Sequence, residues 1–112
     1  YRGKAGQKFV FQMDAAEKAA TRALQNENLQ KALAEPADLL VLDEAGSAWE
    51  LDMVDPNLLR RAVLERPAAQ ECVLTAHQPP DWMAEAADYV TEMKCRRHPY
   101  QKGIKARKGI EY

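Results

Sequence analysis

The 112 residues predict an α/β fold, a parallel sheet flanked by helices. Three observations lead there. "LLVL" at 39–42 is a continuous apolar run of strand length, the pattern of a strand covered on both faces. "ECVLT" at 71–75 and "YVTEM" at 89–93 are further short strand-like runs. Between the three lie segments with helical periodicity, and strands joined by helices of this length imply right-handed crossovers and parallel pairing.

Taken in order, "MDAAEKAATRALQNENLQKALAEP" is the first helix. Asp14 and Glu17 stand in capping-box spacing, the Ala-rich body carries Leu24, Leu29 and Leu33, and the helix stops before Pro36. "DLLVLDE" follows as a strand buried on both faces. "DPNLLRRAVLERP" is the next helix, with Asp55 as cap and Pro56 at its first position. Its buried stripe is Leu58, Leu59, Ala62 and Val63. "ECVLTAH" is a second strand, "PPDWMAEAAD" a short helix capped by Asp81, and "YVTEM" a third strand.

The length and a hydrophobic content of 46% fit one domain spanning 1–112 with a single core. No run is of membrane-spanning length and no apolar leader opens the sequence, so the expectation is a cytoplasmic protein. Cys72 and Cys95 lack metal-type spacing and read as two reduced thiols, one of them buried in a strand. The net charge of −1 conceals a separation: residues 1–13 carry +3, residues 14–92 carry −10 and residues 93–112 carry +6. Basic ends around an acidic middle suit either a solvated tail or an anionic ligand such as a triphosphate. Nucleic acid is disfavoured, because the basic residues lack interleaved aromatic platforms and the total charge is not positive.

In parallel sheets ligands sit beyond the carboxyl ends of the strands. Asp43, Glu44, Thr75, His77 and Glu92 all fall at or just past the expected ends. Asp43 and Glu44 directly after four apolar residues have the form of a Walker B site, where the acids serve magnesium, water or nucleotide. Its usual companion is a phosphate loop, G-x-x-x-x-G-K-[ST]. "RGKAG" near the start has glycines and a lysine but not that order, and no apolar strand precedes it.

Three further stretches narrow the reading: Val90-Thr91-Glu92-Met93, the His98-Pro99-Tyr100-x-x-Gly103 turn, and the closing Gly109-Ile110-Glu111-Tyr112. With "DLLVLDE" and "ERPAAQECVLT", and in that order over nearly the whole chain, the sequence resembles the P-loop-type corrinoid (cob(I)alamin) adenosyltransferases. The resemblance implies a RecA-like P-loop NTPase sheet, here incomplete because the first strand, phosphate loop and second strand of the family are absent. It implies transfer of the 5′-deoxyadenosyl group of Mg-ATP to Co(I) of a reduced corrinoid with release of triphosphate. A homodimer is also implied.

The family places two aromatic residues beneath the corrin ring, which removes the lower axial ligand and eases reduction to Co(I). Phe9 and Phe11 in Gly6-Gln7-Lys8-Phe9-Val10-Phe11 match those positions, Phe11 standing where Trp is often found. Asp43 and Glu44 match the strand-end acids and would hold or orient magnesium, a hard cation that demands oxygen ligands. Thr75-Ala76-His77 replaces a common Thr-Gly-Arg on the phosphate side of the nucleotide. Arg would offer a bidentate fork there, whereas a neutral histidine donates one hydrogen bond at a time. His98 is expected to order the Pro99 turn rather than to ligate.

Without the loop's N–H groups and lysine a triphosphate loses its main cradle. The 112 residues alone are therefore expected neither to bind ATP tightly nor to adenosylate corrinoids. Two alternatives stand beside the adenosyltransferase: a shortened non-catalytic homologue that binds corrinoid or a partner chain, and an unrelated P-loop-like interaction domain with a coincidental match.

Overall fold

The computed structural model describes residues 10–110. A 3₁₀ turn at Val10–Gln12 leads into α1, Ala15–Ala34, then β1, Leu39–Leu42. Next come α2, Ala45–Glu50, α3, Pro56–Leu64, β2, Glu71–Leu74, and α4, Asp81–Ala86. A second 3₁₀ turn occupies Pro99–Lys102.

Local chemistry sets the helix ends. The Asp14 carboxylate accepts the Glu17 N–H at 2.7 Å, satisfying a donor that the first turn of α1 leaves without a helical partner. Asp55 does the same for α3, accepting from Asn57 and Leu58 ahead of Pro56. The Asp55 N–H in turn donates to Asn26 Oδ1 at 2.6 Å, which fastens α3 to the middle of α1. Asp81, expected as the cap of α4, is instead its first residue, and Pro80 occupies the cap with no side-chain hydrogen bond. There Asp81 complements the positive end of the helix dipole.

β1 and β2 pair in parallel, Leu39 with Glu71 through Leu42 with Leu74. Helices α2 and α3 form the connection. The core consists of Leu29 from α1, Ala45 from α2, Val54 from the loop before α3, Leu58, Leu59 and Ala62 from α3, and Met83 from α4, with Leu42 and Leu74 against it. Gln70 closes the opposite end of the sheet, its side-chain amide donating to Ala37 O at 3.1 Å.

Two expectations are corrected here. β1 is not covered on both faces: Leu39 and Val41 are 55% and 54% exposed, and Val73 beside them is 46% exposed. In registered parallel strands these side chains share one face, and the residues described supply helices to the other. Residues 89–93 form no third strand. A strand forms only by pairing its backbone with a neighbour, and among the described residues the ladder joins only β1 to β2. Tyr89, Val90 and Met93 accordingly stand exposed. The fold among the described residues is α/β with a two-stranded parallel sheet.

Both thiols are free, with Cys72 half-buried in β2 and Cys95 exposed. Burial pushes the Cys72 thiol up, opposed in part by the nearby Arg66 charge. Since the thiolate is the reactive form, iodoacetamide is expected to label Cys95 well before Cys72, with the difference erased in urea. Peptide mass mapping at timed intervals checks this. Leu59, 3% exposed in the core, is expected to cost about 3 kcal/mol on change to Ala, read from urea denaturation midpoints.

Candidate functional site at the strand ends

Asp43 follows directly on β1 and Thr75 directly on β2. Because Leu42 pairs with Leu74, the next residue of each strand comes level with the other. The ladder continues one step past the strands, the Thr75 N–H donating to Leu42 O at 3.2 Å. The Thr75 hydroxyl then donates to Asp43 Oδ1 at 2.7 Å and accepts the Glu44 N–H at 2.8 Å. One hydroxyl thus joins both strand-end acids.

Glu44 has a left-handed backbone, φ 56°. For a residue with a Cβ this costs on the order of 1 kcal/mol and persists where surroundings over-determine it. Here its N–H is held by Thr75, and its carboxylate accepts the Ser47 hydroxyl at 3.1 Å. His77 Nε2 lies 3.8 Å from the other carboxylate oxygen, an ion pair only when the imidazole is protonated.

The two loops interlock beneath these groups. The Gly46 N–H donates to Thr75 O at 3.4 Å, and a Cβ at Gly46 would collide with the Cβ of Ala76. Only glycine lets α2 start this close to the β2 loop. An open cavity of about 210 Å³ runs beside β1 and reaches Asp43, lined also by Gln25, Asn28, Leu29 and Leu40.

Four of the residues singled out in the sequence, Asp43, Glu44, Thr75 and His77, therefore meet at one edge. Glu92 does not take the position expected of it, because the stretch that holds it forms no strand to deliver it there. Phe11 sits in the 3₁₀ turn before α1, 81% exposed, and Phe9 lies outside the described residues. His98 caps the second 3₁₀ turn, its Nδ1 accepting the Tyr100 N–H at 3.0 Å, and Gly103 closes the turn at φ 75°. Sequence reading missed Ser47, Gly46 and the helix α2 that bears them. The signal available was Ser47 three residues after Glu44, the spacing at which side chains on one helical turn meet.

Among the described residues no group of three or more His, Cys, Asp or Glu could hold a metal ion unaided. Magnesium does not need one: it commonly takes one or two carboxylates and completes its octahedron with phosphate oxygens and water. Asp43 and Glu44 are exposed hard-oxygen donors, and Asp43 Oδ2 is not the oxygen bonded to Thr75. The donor set fits magnesium whose remaining positions are filled by phosphate oxygens or water. Among the described residues no helix is long and apolar enough to cross a membrane.

Comparison with known proteins adds a family. The model described as ATP:corrinoid adenosyltransferase BtuR/CobO/CobP matches residues 2–112. A corrinoid adenosyltransferase of Pseudomonas aeruginosa is 40% identical over 81 residues, 71% of this chain and 40% of that protein. One from Sinorhizobium sp. is 36% identical over 75 residues, 66% of this chain and 35% of that protein. The chain thus spans well under half the length of these curated relatives.

The interlock gives a prediction with an unusual sign. Gly→Ala inside a helix ordinarily stabilises by about 0.5–1 kcal/mol, but Gly46→Ala is expected to destabilise by about 1–3 kcal/mol through the collision with Ala76. Adding Ala76→Gly should recover most of the loss. Urea denaturation of the two single variants and the double variant measures the coupling.

Proposed function

The chain belongs to the ATP:corrinoid adenosyltransferase family, and on that premise we propose that it forms the C-terminal part of one domain that transfers the 5′-deoxyadenosyl group of ATP to a reduced corrinoid. The observation that carries the reading is the pair Asp43 and Glu44, tied to Thr75 at the ends of two parallel strands, inside a family match that spans residues 2–112. A match of that extent is not coincidental.

The reaction joins cobalt to carbon. Co(I) of the corrinoid, the nucleophile, attacks C5′ of ATP; the cobalt–carbon bond forms with the cobalt electron pair, the C5′–oxygen bond breaks, and triphosphate leaves with those electrons. Asp43 and Glu44 would hold magnesium on the phosphates, and that ion supplies positive charge where the departing triphosphate gathers negative charge. His77 would stand on the phosphate side of the nucleotide, offering a donor beside Glu44, with Thr75 next to it at the end of β2. Phe9 and Phe11 would press on the lower face of the corrin ring. The sheet is read as RecA-like, working as a cytoplasmic homodimer, with the phosphate loop supplied by sequence other than these 112 residues.

The test is an anaerobic turnover assay with Mg-ATP and a chemically reduced corrinoid, following the absorbance of the new cobalt–carbon bond and the release of triphosphate. The 112 residues alone are expected to give no turnover at ordinary enzyme rates. Joined behind a family segment carrying G-x-x-x-x-G-K-[ST], they should turn over, and Asp43→Asn should then lower kcat by about two orders of magnitude. A joined protein that folds yet neither binds ATP nor adenosylates would refute the proposal.

A further inference from the structure

We propose that Thr75 is the positioning residue of the strand-end acids, its hydroxyl fixing Asp43 and Glu44 together so that the second oxygen of Asp43 is presented to a hard divalent cation. The inference rests on reading those two residues as the magnesium-side acids, and it gives Thr75 a task distinct from phosphate contact.

A threonine hydroxyl has one proton and two lone pairs. The proton is committed to Asp43 Oδ1 at 2.7 Å, and one lone pair accepts the Glu44 N–H at 2.8 Å. A phosphate oxygen, itself only an acceptor, can take no hydrogen bond from Thr75 while that proton stays on Asp43. What the hydroxyl does in this arrangement is orient. With Oδ1 anchored, the plane of the Asp43 carboxylate is fixed and Oδ2 is left for a cation.

The bond to Glu44 acts on the backbone. Glu44 must hold φ 56° to turn the chain from β1 into α2, and the Thr75 oxygen is the acceptor that rewards this conformation. Ser47 completes the arrangement from α2 by donating to Glu44 Oε2 at 3.1 Å. Each acid therefore has a fixed partner on one carboxylate oxygen. This is the pattern of outer-shell groups that set the direction of metal-binding carboxylates, whose loss weakens metal affinity by about 10–100-fold. Valine in place of Thr75 keeps the shape and removes both hydrogen bonds; serine keeps the hydroxyl.

The experiment titrates Mn²⁺, a hard cation suited to carboxylate and water ligands, into the isotope-labelled 112-residue chain and follows paramagnetic broadening of its amide signals. In the unmodified chain the Asp43 and Glu44 signals should broaden first and saturate. Thr75→Val should raise the midpoint about tenfold, with other amide shifts near those of the unmodified chain, and Thr75→Ser should restore it. A Thr75→Val midpoint equal to that of the unmodified chain overturns this inference alone, as does a Thr75→Ser variant as weak as Thr75→Val. Absence of selective broadening at Asp43 and Glu44 in the unmodified chain overturns their assignment to the cation together with this inference.

Discussion

The parallel pairing of β1 with β2 is the constraint on which the rest of the site depends. Its register, Leu42 opposite Leu74, brings the residues immediately after each strand level with one another. Asp43 and Thr75 then meet without any long side chain reaching across. A slip of one residue would turn Leu40 and Leu42 away from the core and carry Thr75 past Asp43. Burial and site geometry are thus fixed by the same hydrogen-bond ladder, and the apolar contacts that hold the register also hold the acids.

Around that ladder the helices do different work. α3 is the anchor, with Leu58, Leu59 and Ala62 buried and its cap residue Asp55 tied to Asn26 of α1. α1 is longer but buries less, only Thr21 and Leu29 being buried. α2 is short and exists to bring Ser47 and Gly46 against the strand-end loops. The left-handed Glu44 at its start is a local cost offset by the hydrogen bonds from two neighbouring elements, an arrangement common where backbone strain serves a site. By contrast, the sheet face bearing Leu39, Val41 and Val73 has no helix among the described residues. Apolar side chains on a parallel sheet are ordinarily covered.

The basic C-terminal stretch follows a different logic. From Tyr89 onward the described residues are exposed, and their order comes from local turns: the His98 cap, Gly103 at φ 75° and Gly109 at φ 81°. The 90–93 stretch and the 98–103 turn are therefore visible in sequence and turn geometry without being packed against the core. The seven basic residues of this C-terminal stretch, from Lys94 to Lys108, are exposed.

The features legible from the amino acids are local ones. Asp14 and Asp55 as caps, Pro36 as the barrier after α1, the buried stripe of α3 and the His98 turn are readable because each depends on neighbours within about one helical turn. The strand-end acids were readable for the same reason, as a dipeptide closing an apolar run. Which strands exist and what the acids touch follow from long-range packing. "YVTEM" has strand composition, yet composition does not say whether a segment is brought alongside a sheet edge to pair. The Thr75 hydroxyl meets Asp43 across 32 positions of sequence, and Gly46 meets Ala76 across a similar interval. Nothing local in either segment encodes those meetings, because they are created by the register of two strands and the packing of the helices between them.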